Sequence, residues 1–205
     1  MVGTQIPSIY PTRHMSASSN PIRKYFTLKA PAKINLGLWV RGKRPDGYHD
    51  LETIFLPIPL EDTLTIRLYD GPDVLTCDHP DVPADDSNLV LQAIQALRQY
   101  WGTKAPDRGF RIELRKRIPI GGGLGGGSSD AGAVLRELPR QMGLPVGKTA
   151  LHRMALLLGS DVPFFLNPRP AVARGRGERL RTLRWRIRGW LALVLPEYGV
   201  STGWA

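Results

Sequence analysis

Apolar and polar positions follow two different periods along this 205-residue chain. Residues 25–28 and 34–40 are strand-like, and Pro31 stands between them. Residues 51–60 and 63–68 predict two more strands joined at Glu61-Asp62, and residues 74–77 a short one. The period then changes. Val90, Ile94, Leu97 and Trp101 fall on one helical face, which predicts a helix over 88–100 with Ser87 as its N-cap and Gly102 as its stop. Residues 110–118 alternate again, with Phe110, Ile112 and Leu114 against Arg111, Glu113 and Arg115. Helices are predicted over 129–141, with Pro139 limiting its regularity, and over 149–158, ended by Gly159. Beyond Pro163 the pattern returns to strands and ends in an apolar run at 190–195. Strands followed by helices, without strict alternation, predict an α+β fold.

Residues 1–24 contain no acidic residue and show no convincing period. They read as a flexible extension, with Met15 as an alternative start; a transit peptide is the other reading. The folded part divides into residues 25–168 and 169–205.

Composition narrows the classes. Hydrophobic residues make up 42% and charged residues 22%, enough apolar surface to exclude disorder over the whole length. No run approaches the eighteen apolar residues of a membrane-spanning helix. The single cysteine, Cys77, excludes an internal disulfide and a multi-thiolate metal site, and points to a reducing compartment. The net charge of +10 is uneven: residues 174–188 hold seven arginines and one glutamate. Such a stripe is either the charged edge of a hairpin or a surface for a polyanion. A basic nucleic-acid-binding domain is therefore the rival functional class. Only Trp185 interleaves an aromatic ring with the basic residues, which is poor for a single-strand platform.

The strongest signal is the segment Pro119, Ile120, Gly121, Gly122, Gly123, Leu124, Gly125, Gly126, Gly127, Ser128, Ser129. Six of residues 121–127 are glycine, the residue that loses most backbone entropy on folding. A backbone that must approach an anion closely offsets that loss. The loop follows a strand and feeds a helix, so successive N–H groups and the helix N-terminus can face one phosphate. Ser128 and Ser129 add hydroxyls for a phosphate oxygen or Mg²⁺. No lysine follows Gly127, which excludes a Walker A loop, and no acidic residue closes a second strand as a dinucleotide site requires.

This loop resembles the second motif of the galactokinase–homoserine kinase–mevalonate kinase superfamily, the GHMP kinases. Two further segments carry the resemblance: Pro31-Ala32-Lys33-Ile34-Asn35-Leu36 with Arg44-Pro45-Asp46-Gly47-Tyr48-His49-Asp50-Leu51, and Gly159-Ser160-Asp161-Val162-Pro163-Phe164-Phe165. They are similar to the branch that uses ATP to phosphorylate the 2-hydroxyl of a cytidine-diphosphate-linked methylerythritol in non-mevalonate isoprenoid synthesis. The resemblance implies the superfamily's N-terminal lobe, a left-handed β-α-β arrangement like that of a ribosomal protein domain, plus the start of a second α+β lobe. It implies ATP with Mg²⁺ as co-substrate, a small-molecule acceptor, no nucleic-acid or membrane partner, and a cytoplasmic bacterial setting, or a plastid one if the extension is a transit peptide.

Residue roles carry over in the same way. Asp161 falls on the family's proton acceptor and Lys33 on its catalytic lysine, placed to stabilise charge developing on the nucleophile. Asn35, on the same strand face as Lys33, falls on a residue that binds the erythritol diol. Tyr48 and His49 fall on residues that stack on and read the cytosine. Residues 88–99 and the segment after Pro57 are expected to wall the adenine. Two departures stand out. Arg174 and Arg176 occupy a glycine-rich segment where the family has uncharged or acidic residues. The second glycine-rich motif and most second-lobe helices are absent before Ala205, which reads as a truncation, with an inactive fragment as the alternative to a working kinase and with self-association through the incomplete lobe.

Overall fold

The computed structural model describes residues 25–43, 45, 47, 49–185 and 189–194. Its spine is one long antiparallel ladder between β1 (Tyr25–Lys43) and β2 (His49–Tyr69). Each strand runs through a break that the sequence predicts. Pro31 lies inside β1 at a register shift, where it pairs with Glu61 while Ala32 pairs with Ile58. A residue without an N–H is tolerated at such an irregularity. Phe26, Leu28 and Ala30 point inward, and Tyr25, Thr27 and Lys29 point to solvent.

The other side of β2 is shared. β4 (Gly109–Arg115) pairs with residues 63–69, and β5 (Ala171–Gly175) with residues 51–55. β3 (Val74–Cys77) lies parallel beside β4, and β6 (Arg179–Thr182) closes the far edge beside β5. Between β4 and β5, residues 56–62 of β2 have no strand partner on that side. At this level sits a small apolar cluster of Ala32, Ile58, Ile118 and Leu124, so the glycine-rich segment is seated in the gap of the sheet.

Among the described residues three α-helices follow the predicted periods, α1 (Leu89–Trp101), α2 (Gly126–Gln141) and α3 (Lys148–Leu158), and a short α4 (Val162–Phe165) that the pattern does not predict follows them. The N-cap of α1 is Asn88, not Ser87. Asn88 accepts from the N–H of Val90 at 2.9 Å, whereas the Ser87 hydroxyl is spent on Asp85 at 2.6 Å. Helix α2 begins three residues before the predicted start, inside the glycine run. The main core joins α1, α2 and α3 to the sheet through Leu64, Ile66, Ile94, Leu97, Phe110, Ile112 and Leu135. A second cluster of Phe55, Phe164, Phe165, Ala171 and Ala173 fixes α4 against β2 and β5.

β5 and β6 continue the sheet of β1–β4, although residues 169–205 read from sequence as the start of a second unit. The strand predicted at 190–195 does not form over the described part. Residues 190–194 carry no regular structure, Trp190 is fully exposed, and Leu195 lies outside the described residues. Residues 186–188 of the basic stripe also lie outside them. On the edge strand β6, Arg179 and Arg181 are exposed, and Arg174 on β5 pairs with Glu52 at 2.8 Å. Charge on an edge discourages further strand pairing. No helix among the described residues is long and apolar enough to cross a membrane.

Candidate active site

The glycine segment supplies one wall of a cleft of about 250 Å³. Gly121, Gly123 and Gly125 have φ of +74°, +69° and +74°. Left-handed backbone at alternate positions turns successive N–H groups toward a common point, a geometry suited to an anion. Gly125 then caps α2 with no side-chain bond, which leaves the first N–H groups of the helix facing the cleft. A Cβ on Gly125 would stand 2.9 Å from the Phe165 ring and 3.3 Å from Lys33 Cγ.

The loop is fastened rather than loose. The Lys33 N–H donates to the Leu124 carbonyl at 2.9 Å. Ser129 is buried, and its hydroxyl donates to the Pro31 carbonyl at 2.6 Å. Ser129 thus ties α2 to β1, while Ser128 remains partly open. The opposite wall comes from Asp81, Val82 and Pro83 and from Ser87, Asn88 and Leu89. The expected adenine wall at 88–99 therefore lines the cleft through its first turn, whereas the segment after Pro57 lies inside β2 and does not line it. Asn88 Nδ2 donates to the Pro83 carbonyl at 2.7 Å and so joins the two parts of that wall.

Below the loop lies a buried charge cluster. Lys116 Nζ bridges Asp62 at 2.5 Å and Asp130 at 2.8 Å. Asp62 also accepts from the N–H groups of Arg117 and Ile118, which anchors the entry to the loop. Asp130 has no such help, and its Oδ1 has no hydrogen-bond partner. Burial, with the Asp62 charge adding to it and Lys116 opposing, pushes the Asp130 carboxyl up to about 7. For Lys116, burial alone would lower the ammonium, but the charges and hydrogen bonds of Asp130 and Asp62 outweigh it and raise it. Near neutrality the Asp130 carboxyl is therefore partly protonated.

Next to the loop, Lys33 and Asp161 come together although they are far apart in sequence. Lys33 is 6% exposed, and its Nζ stands 3.4 Å from Asp161 Oδ2 and 5.0 Å from the centre of the Phe55 ring. Asp161 precedes α4 at the mouth of this site. The β5–β6 turn passes over it, and a Cβ on Gly177 would stand 3.7 Å from Asp161 Oδ1. Asn35 shares the strand face with Lys33 as predicted, and its Oδ1 accepts from Lys33 Nζ at 2.7 Å. His49 is not in this group. It opens β2, exposed and opposite Lys43, six residues from Phe55 and so roughly 20 Å along the strand. Tyr48 lies outside the described residues.

Sequence reasoning misses Thr53, Phe55, Asp62, Lys116, Asp130 and Gly177. Gly177 alone had a visible signal, the Gly-x-Gly-Glu segment at 175–178. Among the described residues no three acidic, histidine or cysteine side chains gather as a metal site. Mg²⁺ bound with a nucleotide keeps several waters and needs only one or two protein oxygens, so this donor set fits a phosphate-held ion and not a protein cage.

The profile of the GHMP kinases N terminal domain matches residues 88–168. The chain is 49% identical over 183 residues to a 4-diphosphocytidyl-2-C-methyl-D-erythritol kinase of Chlorobium phaeobacteroides (strain BS1), covering 89% of this chain and 63% of that one. It is 46% identical to the enzyme of the same name from Chlorobaculum tepidum, with the same coverage. The chain thus spans about 63% of the length of these curated relatives. A crystal structure of 4-(cytidine 5'-diphospho)-2C-methyl-D-erythritol kinase superposes with a TM-score of 0.64 at 44% identity, over 77% of this chain and 55% of that one. Homoserine kinase from Cytophaga hutchinsonii, at 21% identity and a TM-score of 0.55, shares the fold over 79% of this chain and 52% of that one. The matched domain, the relatives and the shared α+β fold agree in likening this chain to the GHMP kinases.

Proposed function

We propose that this chain carries the nucleotide-binding and proton-transfer parts of an ATP-dependent kinase acting on the 2-hydroxyl of 4-diphosphocytidyl-2-C-methyl-D-erythritol. The observation that carries the reading is the Lys33–Asp161 pair, 3.4 Å apart, beside the uncapped N-terminus of α2. Phosphoryl transfer requires positioned phosphates, a compensating cation and an oriented hydroxyl, with little covalent chemistry left to the protein.

The residues divide that work. The N–H groups of residues 121–128 hold the phosphates, and the helix end adds partial positive charge. Residues 81–83 and 87–89 face the base. Mg²⁺ completes the neutralisation of the phosphates, with Ser128 the open hydroxyl on this chain nearest the helix start. Asp161 accepts the proton of the attacking hydroxyl. Lys33, held low in dielectric beside Phe55, stabilises the charge that develops on that oxygen. Asn35 keeps one N–H and one lone pair free for the diol. His49, at the start of β2, is the described residue on the side assigned to the cytosine.

A coupled ADP-release assay with the cytidine-linked substrate tests this. Asp161→Asn should lower turnover by roughly 10²–10⁴-fold and leave ATP affinity by calorimetry unchanged. Turnover at the wild-type rate in that variant, or ADP release that ignores the substrate, would refute the proposal.

A further inference from the structure

β1 carries a bulge beside the reactive pair. Asn35 pairs with Phe55 and Leu38 with Thr53, so one extra residue is inserted on β1 between them. A bulge locally breaks the ladder and re-aims the side chains next to it. Here it turns the Gly37 carbonyl toward β2, where the Thr53 hydroxyl meets it at 2.6 Å. Thr53 is 1% exposed, so water does not compete for this bond.

The direction of every bond in the resulting chain is determined. The Gly37 carbonyl can only accept, so the Thr53 hydroxyl donates to it. The Thr53 oxygen is then left as an acceptor and takes Asn35 Nδ2 at 3.0 Å. That puts Asn35 Oδ1 on the other side, where the Lys33 ammonium, which can only donate, reaches it at 2.7 Å. A flipped amide would set its NH₂ against the ammonium and leave two donors facing each other without an acceptor.

We propose that Thr53 is a positioning residue for phosphoryl transfer. Its hydroxyl fixes the Asn35 amide, and the amide fixes Lys33 Nζ at its 3.4 Å separation from Asp161. At that distance Lys33 does not make a short bond to the carboxylate. One ammonium proton goes to Asn35, and the others point toward Asp161 and the place of the attacking oxygen. The catalytic part rests on the kinase reading above; the orientation of the amide does not.

The test combines side-chain amide NMR of the 205-residue chain with ADP-release kinetics. The Asn35 NH₂ signals are assigned by their loss in Asn35→Asp. Asn35 itself is exposed, so only the Nδ2 proton held by Thr53 should exchange more slowly than its geminal partner in the wild type and in Thr53→Ser, and in Thr53→Val that difference should be lost. Turnover of Thr53→Val should fall about ten- to a hundred-fold, the size expected of a small misplacement, with KM for ATP within about two-fold and Thr53→Ser close to wild type. Unmoved Asn35 signals in Thr53→Val, or a serine variant as impaired as the valine one, would overturn the proposal. So would a wild-type Asn35 amide whose two protons exchange equally fast, which needs no variant to fold. A chain that releases no ADP defeats the kinase reading alone, because the amide measurement requires no turnover.

Discussion

Asp130→Asn should make the protein more stable at alkaline pH and leave it little changed in acid. The carboxyl of Asp130 is 1% exposed, shares Lys116 with Asp62, and has one oxygen without a partner. Its pKa rises from 3.8 in the unfolded chain to about 7 in the folded one. Between those values the folded state holds a proton that the unfolded state has released. Stability therefore falls as pH rises through this window, and the penalty is complete above about pH 7. Below pH 3.8 both states are protonated and the penalty vanishes. At about 1.4 kcal/mol per unit, the advantage of the neutral asparagine grows by about 3 kcal/mol between pH 5 and pH 9. The other charges facing this carboxyl are Lys116 and Asp62, with the Cys77 thiol, raised chiefly by its own burial, as the neighbouring titratable group. The asparagine carbonyl can still accept from Lys116, and Asp62 remains as counter-charge. Urea unfolding of both proteins at pH 5, 7 and 9 measures the difference directly. A constant difference across that range would show that Asp130 does not titrate there and that the orphan oxygen has a donor.

Two further substitutions probe the frame of the site. Gly132→Ala places a Cβ 2.4 Å from Phe165 Cβ and 3.2 Å from its backbone, so the close approach of α2 to α4 must open. Overpacking of about 1–3 kcal/mol outweighs the gain in helix propensity, and a drop of several degrees in melting temperature is expected; an unchanged or raised one refutes the contact. Asn88→Ala removes the α1 cap and the bond to the Pro83 carbonyl, at about 1 kcal/mol for the cap. Asn88→Ser keeps a capping oxygen and is too short to reach the Pro83 carbonyl, so weaker ATP binding by calorimetry in both variants, with stability lost mainly in the alanine one, separates wall from cap.

What sequence shows here depends on whether a residue's role is local. The glycine run is legible because its composition is unusual by itself, and α1 and α3 because their apolar positions recur at helical spacing. Lys33 and Asp161 are visible only through the resemblance, since either alone is an ordinary strand lysine or turn aspartate. Asp62 reads as a turn residue between two strands, yet it lies within one long strand and receives the N–H groups of Arg117 and Ile118. Its partners are more than fifty positions away, and no local pattern records them. Thr53 is equally silent, because its hydroxyl matters only once the bulge at Leu36-Gly37 has turned a carbonyl toward it. Pro31 and Glu61-Asp62 mislead for the opposite reason. They carry strong local signals for a break, and the β1–β2 ladder absorbs that break as a register shift instead of ending.

The glycine loop raises a physical difficulty that the surrounding residues answer. A segment with so much backbone freedom would lose its anion-binding geometry unless it were held at intervals, because ordering each residue costs about 1–2 kcal/mol. The anchors are spaced along it. Asp62 takes two N–H groups at residues 117 and 118, Leu124 is gripped by the Lys33 N–H and its own apolar cluster, and Ser129 is tied to Pro31. All three attach to the β1–β2 ladder, and two of them to residues of β1 within three positions of each other. The strand that carries Lys33 is therefore the same strand that fixes the loop. A displacement of β1 would carry the ammonium together with the anchors at Leu124 and Ser129, while the loop entry at residues 117 and 118 stays with Asp62 on β2. For the lysine proposed as catalytic, the strand that carries it also sets its distance to the second half of the glycine loop.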